Sequence, residues 1–133
     1  MQRNVGLMSF AKYRASHRFA RISVRKVIPI LDLIRGQFAD EALDRLKYMP
    51  HRAARLVEKV LRSAIANAED QGLRDVSNLL VADARGEGGP MLKRLMPRAR
   101  GMAYLVRRRT SHIVIGLADA EFLYNAEIAD CED

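Results

Sequence analysis

Residues 89–115 read GPMLKRLMPRARGMAYLVRRRTSHIVI. Two segments of mixed apolar and basic side chains flank a short turn-like segment, 97–101, which begins with Pro97 and ends with Gly101. This composition is typical of a turn between two antiparallel strands, so the stretch predicts a long β-hairpin. The apolar triplet at 113–115 predicts a further strand directly after the hairpin.

The predicted hairpin carries positive charge only. Residues 91–112 contain seven cations and no Asp or Glu. The cations are Lys93, Arg94, Arg98, Arg100, Arg107, Arg108 and Arg109. A surface with this charge is too basic to form a core, and unrelieved positive charge repels itself unless an anionic partner neutralises it.

The remaining charges fall into separate blocks along the chain. Residues 1–26 hold seven cations and no acid, residues 27–92 are close to neutral, and residues 117–133 hold six acids and no base, which leaves a formal net charge of +7. A single run of charge is commonly a solvated face. Two unbalanced basic blocks favour a nucleic-acid partner, with an acidic membrane surface as the alternative.

Length and cysteine content exclude several classes of protein. A chain of 133 residues with 49% hydrophobic residues is suited to a single globular domain. The one cysteine, Cys131, allows neither a disulfide framework nor a cysteine-based metal site. No apolar run is long enough to span a membrane, so we expect a cytosolic protein that does not act on a membrane.

Three segments have helical spacing. The first follows Ser23 as a capping residue and ends at Gly36, and Pro29 should kink it or delay its regular start. Asp40 is expected to cap a second, short helix that ends before Pro50. The apolar residues expected on the inner face of the first helix are Val24, Val27, Ile28, Leu31 and Ile34.

The third helix is the clearest element and is predicted from about Arg52 to Gln71, with Gly72 ending it. Glu58 is expected away from its apolar face. The apolar positions with helical spacing are Ala53, Ala54, Val57, Val60, Leu61, Ala64, Ile65 and Ala68.

A strand is predicted at 79–81, after the third helix. The glycines that follow it, Gly86, Gly88 and Gly89, are interpreted as turn residues leading into the hairpin, because no phosphate-loop pattern accompanies them.

Nothing in the sequence predicts catalysis or a cofactor. His17, His51 and His112 lie in a basic arm, at a helix start and beside a strand, without a paired nucleophile or carboxylate motif. Cations are also expected in the first turns of two helices, with Arg25 and Lys26 in the first helix and Arg52 and Arg55 in the third. Cations are unfavourable there, whereas anions are attracted to the free N–H groups, so these positions either bind phosphate or extend into water.

Three segments resemble bacterial large-subunit ribosomal protein twenty-two, over about residues 11–117. They are SVRKVIPILDLIRG at 23–36, KVLRSAIANAED at 59–70, and above all GPMLKRLMPRARGMAYLVRRRTSHIVI at 89–115. The last segment matches the specific family pattern of basic residues, a small residue, glycine, histidine and strand. The matching residues are Lys93, Arg98, Ala99, Gly101 and His112, followed by Ile113 and Ile115.

The resemblance implies an α+β fold, with three helices packed on a small antiparallel sheet and a long protruding β-hairpin. It implies a structural constituent of the large ribosomal subunit that binds ribosomal RNA, supports subunit assembly and lines the nascent-peptide exit tunnel with its hairpin. The implied partners are large-subunit ribosomal RNA, neighbouring ribosomal proteins and the nascent peptide near the hairpin tip, without a small-molecule substrate. Arms of about ten residues would reach roughly 30 Å at about 3.3 Å per residue.

These observations predict an N-terminal extension at 1–10, a single domain at 11–117 with its hairpin at about 86–112, and an acidic tail at 118–133. Met96, Pro97 and Gly101 are expected at the hairpin tip. The expected RNA-binding residues are Arg14, Arg18, Arg21, Arg25, Lys26, Arg35, Lys93, Arg94, Arg98, Arg100, Arg107, Arg108, Arg109 and His112. The alternative is a free regulator that binds double-stranded RNA or DNA with the same surfaces; a membrane-surface protein and an enzyme rank below it.

Overall fold

The computed structural model describes residues 11–73 and 76–120. These residues form three α-helices, five β-strands and two short 3-10 turns. In chain order the helices and strands are β1 (Tyr13–Ala20), α1 (Val24–Ile34), α2 (Ala39–Tyr48), α3 (Arg52–Asp70), β2 (Leu79–Gly88), β3 (Leu92–Pro97), β4 (Ala103–Arg108) and β5 (Ser111–Asp119). The α+β fold class that the family resemblance implies is confirmed.

The body is an antiparallel sheet covered on one face by the helices. Its three strands are ordered β1-β5-β2, with β5 in the centre. Helix α3 packs on β1, α1 packs on β2, and α2 packs on α3. The core between these layers includes Leu31, Leu46, Leu61, Ile113 and Ile115, which are fully or almost fully buried. Strand β5 supplies two of them because its inward-facing side chains alternate along the strand.

Helix α1 follows the predicted bounds but not every predicted contact. Val27, Leu31 and Ile34 are buried as expected, whereas Ile28 is exposed and Ile30, which was not on the predicted face, is buried. The helix begins at Val24, so of the two effects expected from Pro29, a kink or a delayed start, the delayed start does not occur. Pro29 is exposed inside the helix, where its ring points away from the core.

The predicted side-chain caps of α1 and α2 are wrong. Ser23 precedes α1, but its side chain makes no capping hydrogen bond. In α2 the residue at the capping position is Phe38, and Asp40 lies one residue inside the helix together with Glu41. Acids in a first turn stabilise a helix through its dipole, so Asp40 acts through its charge on α2 and not as a cap.

Helix α3 agrees closely with its prediction. It runs from Arg52 to Asp70, all eight predicted apolar positions are buried, and Gly72 follows with a left-handed φ of 92°. The exception is Glu58, which was expected away from the apolar face and is buried. Its carboxylate accepts hydrogen bonds from Arg55 at 3.2 Å and Arg62 at 2.7 Å, and these bonds offset the cost of burying the charge.

Strand β1 was missed by the sequence analysis, which treated this segment as a basic arm. It pairs with β5, with Tyr13 opposite Leu117 and His17 opposite Ile113. Tyr13 belongs to the core and Ala15 packs against it, whereas Arg14 and Arg18 are exposed. The alternation of inward and outward residues is the period-two pattern of a strand with one buried face.

The glycines before the hairpin do not form the predicted turn. Gly86 and Gly88 lie inside β2 and pair with Ile113 and Ser111 of β5. A side chain at Gly86 would come within 3.2 Å of Leu31, so glycine lets α1 approach the sheet closely. Strand β5 continues to Asp119, and Ala118 is buried against β2.

The hairpin is confirmed, and it forms a sheet of its own. Strands β3 and β4 pair in antiparallel register, with Leu95 opposite Leu105, and are not part of the three-stranded sheet. Each arm has six residues, so the regular hairpin extends about 20 Å at roughly 3.3 Å per residue. This is shorter than the 30 Å expected, because the residues at 86–88 belong to the body.

Candidate nucleic-acid interface

A groove of about 950 Å³ lies where the base of the hairpin meets the body. It is formed by the end of β1, the first turns of α1 and α3, and the base of both hairpin arms. Its lining residues are Phe19, Arg21, Ile22, Ser23, Lys26, Arg52, Pro90, Leu92, Arg94, Arg107, Arg108, Arg109 and Thr110. We call this surface the basic groove.

More than half of the lining residues are cations. They are Arg21, Lys26, Arg52, Arg94, Arg107, Arg108 and Arg109. Within the described part of the chain, no Asp or Glu lines the basic groove. The mutual repulsion of these cations destabilises the folded protein, and bound phosphates would remove that repulsion.

Hydrogen bonds at its base hold the hairpin in place. The Gly89 N–H donates to the Thr110 carbonyl at 3.0 Å, and the Thr110 hydroxyl donates to the Pro90 carbonyl at 2.7 Å. A Cβ atom on residue 89 would collide with the Thr110 side chain. Glycine at this position therefore allows the two chain segments to meet and fixes the hairpin beside the cations of the body.

The two helix starts contribute one cation each to the groove. Neither α1 nor α3 has an acid in its first turn, and neither has a side-chain N-cap hydrogen bond. Lys26 and Arg52 line the groove beside these helix ends. Positive side chains next to free helical N–H groups provide favourable positions for phosphate oxygens. Arg25, also expected to bind RNA, is exposed in the first turn of α1 but does not line the groove.

All residues of the hairpin tip are exposed to solvent. The Arg98 N–H donates to the Met102 carbonyl at 2.7 Å and closes a short turn, Ala99–Gly101. Arg100 and Gly101 both have left-handed backbones, with φ of 62° and 70°. Met96 and Pro97 precede the turn and are exposed as well, so the predicted tip residues are brought together at one end of the molecule.

The two faces of the hairpin carry different cross-strand pairs of side chains. From the register, Arg94 and Arg108 lie on one face and Lys93 lies on the other, opposite Arg107. Towards the tip, each face becomes apolar, with Leu95 paired to Leu105 on one and Met96 paired to Tyr104 on the other. These side chains are exposed, so the hairpin offers cations near its base and again at its turn, in Arg98 and Arg100, with apolar contacts between them.

Arg14 and Arg18 lie apart from the basic groove. They line a shallow pocket of about 400 Å³ on the open face of the sheet, together with Glu87 and His112. His112 is engaged within the fold, since its Nδ1 accepts a hydrogen bond from the Phe19 N–H at 3.0 Å and its ring meets Phe19 edge-on. The histidine thus supports the end of β1 as well as facing the surface.

Arg35 is also outside the basic groove. Its guanidinium forms an ion pair with Asp32 at 2.9 Å and donates to the Ala84 carbonyl at 2.6 Å. These contacts tie the end of α1 to β2. The geometry therefore gives Arg35 a role within the fold that the sequence analysis did not anticipate.

Of the fourteen RNA-binding residues that the sequence predicted, six line the basic groove. The groove also contains Arg52, which the sequence predicts in the first turn of α3 but not among the RNA-binding residues. It also adds Phe19, Leu92 and Thr110, for which the sequence contained no signal. Lys93, Arg98 and Arg100 lie on the hairpin but outside the groove.

Two negative findings apply to residues 11–73 and 76–120. Within these ranges no three His, Cys, Asp or Glu side chains come together to hold a metal ion. None of the helices described there has both the length and the apolar character needed to cross a membrane.

Comparison with known proteins gives consistent matches over most of the chain. The model of the family described as ribosomal protein L22p/L17e matches residues 15–118. A large ribosomal subunit protein uL22 of Rhodopirellula baltica is 49% identical over 116 residues, covering 84% of this chain and 98% of the relative. The protein of the same name from Caldicellulosiruptor saccharolyticus is 52% identical over 110 residues, covering 83% and 90%.

Proposed function

Because this chain belongs to the ribosomal protein L22p/L17e family, we propose that it is a structural, RNA-binding component of the large ribosomal subunit. In this role it binds ribosomal RNA, contacts neighbouring ribosomal proteins and supports assembly of the subunit. Its hairpin lines the nascent-peptide exit tunnel. The role is structural and not enzymatic, and it requires no cofactor.

The observation that carries the proposal is the convergence of seven cations in the basic groove. The cations come from the end of β1, two helix starts and the base of the hairpin, and no described acid faces them. RNA provides closely spaced phosphates on a fixed scaffold, which can neutralise such a groove more completely than a small anion.

The RNA-binding residues divide into three groups. In the basic groove, Arg21, Lys26, Arg52 and Arg94 bind phosphates together with the arginines at 107–109. On the open face of the sheet, Arg14, Arg18 and His112 form a second contact. The third group consists of cations that line neither of these two surfaces: Arg25, Lys93, Arg98 and Arg100.

The exposed hairpin supports the tunnel role. An isolated two-stranded hairpin is marginally stable in water, and this one buries almost none of its side chains against the body. RNA packed around it would supply the missing contacts, with phosphates beside the cations at its base and turn, and bases or nascent peptide beside the apolar side chains between them. Met96, Pro97 and Gly101 are the tip residues that would face the tunnel.

Site-specific photo-cross-linking tests the tunnel role. A photoreactive residue is placed at Met96, and a matched control at Glu41, an exposed residue of α2. Ribosomes containing either protein are then stalled with a radiolabelled nascent chain. We expect a cross-link from residue 96 to the nascent chain and none from residue 41. Equal labelling, or labelling from residue 41 alone, would contradict placement of the hairpin tip in the tunnel.

A further inference from the structure

A second groove, of about 710 Å³, lies between α1 and the connection from α2 to α3. Its walls are mainly apolar and include Pro29, Leu33, Tyr48 and Pro50. Lys26 and Arg52 line this apolar groove and also the basic groove, so the two surfaces share an edge. Phosphates bound in the basic groove would therefore lie beside an open apolar surface.

The apolar groove has the chemistry of a nucleobase site. Tyr48 is 89% exposed and Leu33 is 47% exposed, and neither is covered by any described part of the chain. Unpaired RNA bases are commonly recognised by stacking on aromatic side chains while cations hold the neighbouring phosphates. We propose that the apolar groove receives an unpaired nucleotide of the ribosomal RNA, with its phosphate between Lys26 and Arg52 and its base against Tyr48.

Charge favours RNA over a protein segment as the occupant. Among the described residues, no acid lines either groove, and both cations of the apolar groove belong to its shared edge. A protein segment would need its own carboxylates at that edge and would compete there with phosphates of the basic groove. A nucleotide continuing from RNA in the basic groove satisfies the cations and covers the apolar wall with one chain. The inference rests on the proposed RNA-binding function.

Three variants test the inference in the full-length protein. Tyr48→Ala removes the stacking surface, Tyr48→Phe keeps the ring, and Phe38→Ala removes an exposed aromatic side chain that does not line the groove. The probe is an in vitro transcript of a bacterial large-subunit ribosomal RNA. Loss of one stacked base weakens binding roughly 5- to 150-fold, so we expect this loss for Tyr48→Ala and binding close to wild type for the other two. The salt dependence should be unchanged in all three, because no charge is altered.

Ultraviolet cross-linking identifies the occupant directly. Trypsin releases residues 48–52 as one peptide, because Lys47 precedes it and Arg52 ends it. In the wild-type complex we expect this peptide to carry the mass of a nucleotide, and we expect one ribosomal RNA base to become chemically reactive in Tyr48→Ala but not in Phe38→Ala. The peptide covering Phe38 should carry no such adduct.

The outcomes separate this inference from the proposed function. If the wild-type chain binds RNA but Tyr48→Ala binds equally well and residues 48–52 carry no adduct, the nucleotide site is overturned and the RNA-binding function stands. If residues 48–52 cross-link to a ribosomal protein when the other proteins are added, the occupant is a protein and the inference is wrong. Failure of the wild-type chain to bind the transcript would overturn both.

Discussion

Removing charge from the hairpin side of the basic groove should make RNA binding less sensitive to salt. Arg94→Gln combined with Arg108→Gln is the informative change, since both arginines lie on one hairpin face and line the groove. Both side chains are exposed and have no described partner carboxylate, so the fold should persist. The variant therefore isolates the electrostatic contribution of two cations.

The magnitude follows from the count of groove cations. The seven groove cations contribute roughly 5 to 6 to the logarithmic salt slope, contacts elsewhere on the protein add to it, and each lost contact lowers it by about 0.7–0.9. Between about 50 and 200 mM salt, wild-type affinity should fall at least about 1,000-fold, and the fall should be roughly 7- to 12-fold smaller for the double variant. The slopes are measured by filter binding to a large-subunit ribosomal RNA transcript.

A matched control removes two charges elsewhere. Arg45→Gln combined with Lys47→Gln lies in the last turn of α2, where both side chains are exposed and outside the groove. Its salt slope should equal that of wild type. Equal slopes for the hairpin variant and wild type, or an equal reduction in the control, would show that the basic groove does not bind the phosphates and that general charge governs binding.

Further predictions concern the core, the hairpin and the chain end. Leu61→Ala removes a fully buried side chain and should lower the free energy of unfolding by about 2–5 kcal/mol in urea titrations, and a loss under about 1 kcal/mol would be inconsistent with the packing described. Gly89→Ala should break the hydrogen bond from Thr110 to Pro90, which should speed hydrogen exchange in the hairpin and leave α3 unaffected. The less ordered hairpin should also bind RNA more weakly, and unchanged exchange would refute the proposed role of that contact. Truncation after Ala120 removes five acids, which phosphates would repel, and should leave incorporation into large subunits intact. Incorporation is measured by quantitative immunoblotting, and its failure would show that the removed segment is needed for binding. Replacing four hairpin cations by alanine should leave the melting temperature unchanged but alter the chemical reactivity of ribosomal RNA near the tunnel constriction. If the variant unfolded, these side chains would have to stabilise the body of the protein. The four are Lys93, Arg94, Arg98 and Arg100.

Local periodicity accounts for the elements that the sequence predicted well. Helix α3 has eight apolar residues at helical spacing and a glycine after its end, and all eight are buried. The hairpin turn was located from Pro97 and Gly101. In both cases the deciding information lies within about twenty consecutive residues, so no tertiary contact was needed to interpret it.

The errors at β1 and Glu58 both concern charged residues. Strand β1 was missed because its cations were interpreted as a basic arm, although Tyr13 and Ala15 alternate with Arg14 and face the core. Glu58 was predicted to lie away from the apolar face of α3 because a carboxylate is normally exposed. Its burial depends on two arginines whose side chains reach it from the same helix.

The basic groove could be predicted only in part. Its cations were recognised singly, but they come from segments separated by up to about ninety residues, and their convergence depends on the packing of α1, α3 and the hairpin base. Arg35 shows the opposite case. Its charge suggested RNA binding, while the structure engages it with Asp32 and the Ala84 carbonyl.

Co-sedimentation with ribosomal subunits tests the central claim most directly. The tagged full-length chain is expressed in a bacterium from which the resident relative has been depleted, and ribosomal subunits are separated on a sucrose gradient at high salt. We predict one copy of the chain per large subunit and none on the small subunit. A chain that remains at the top of the gradient, or is released from the particles at the salt concentration that their other proteins withstand, would contradict its role as a structural component of the large subunit.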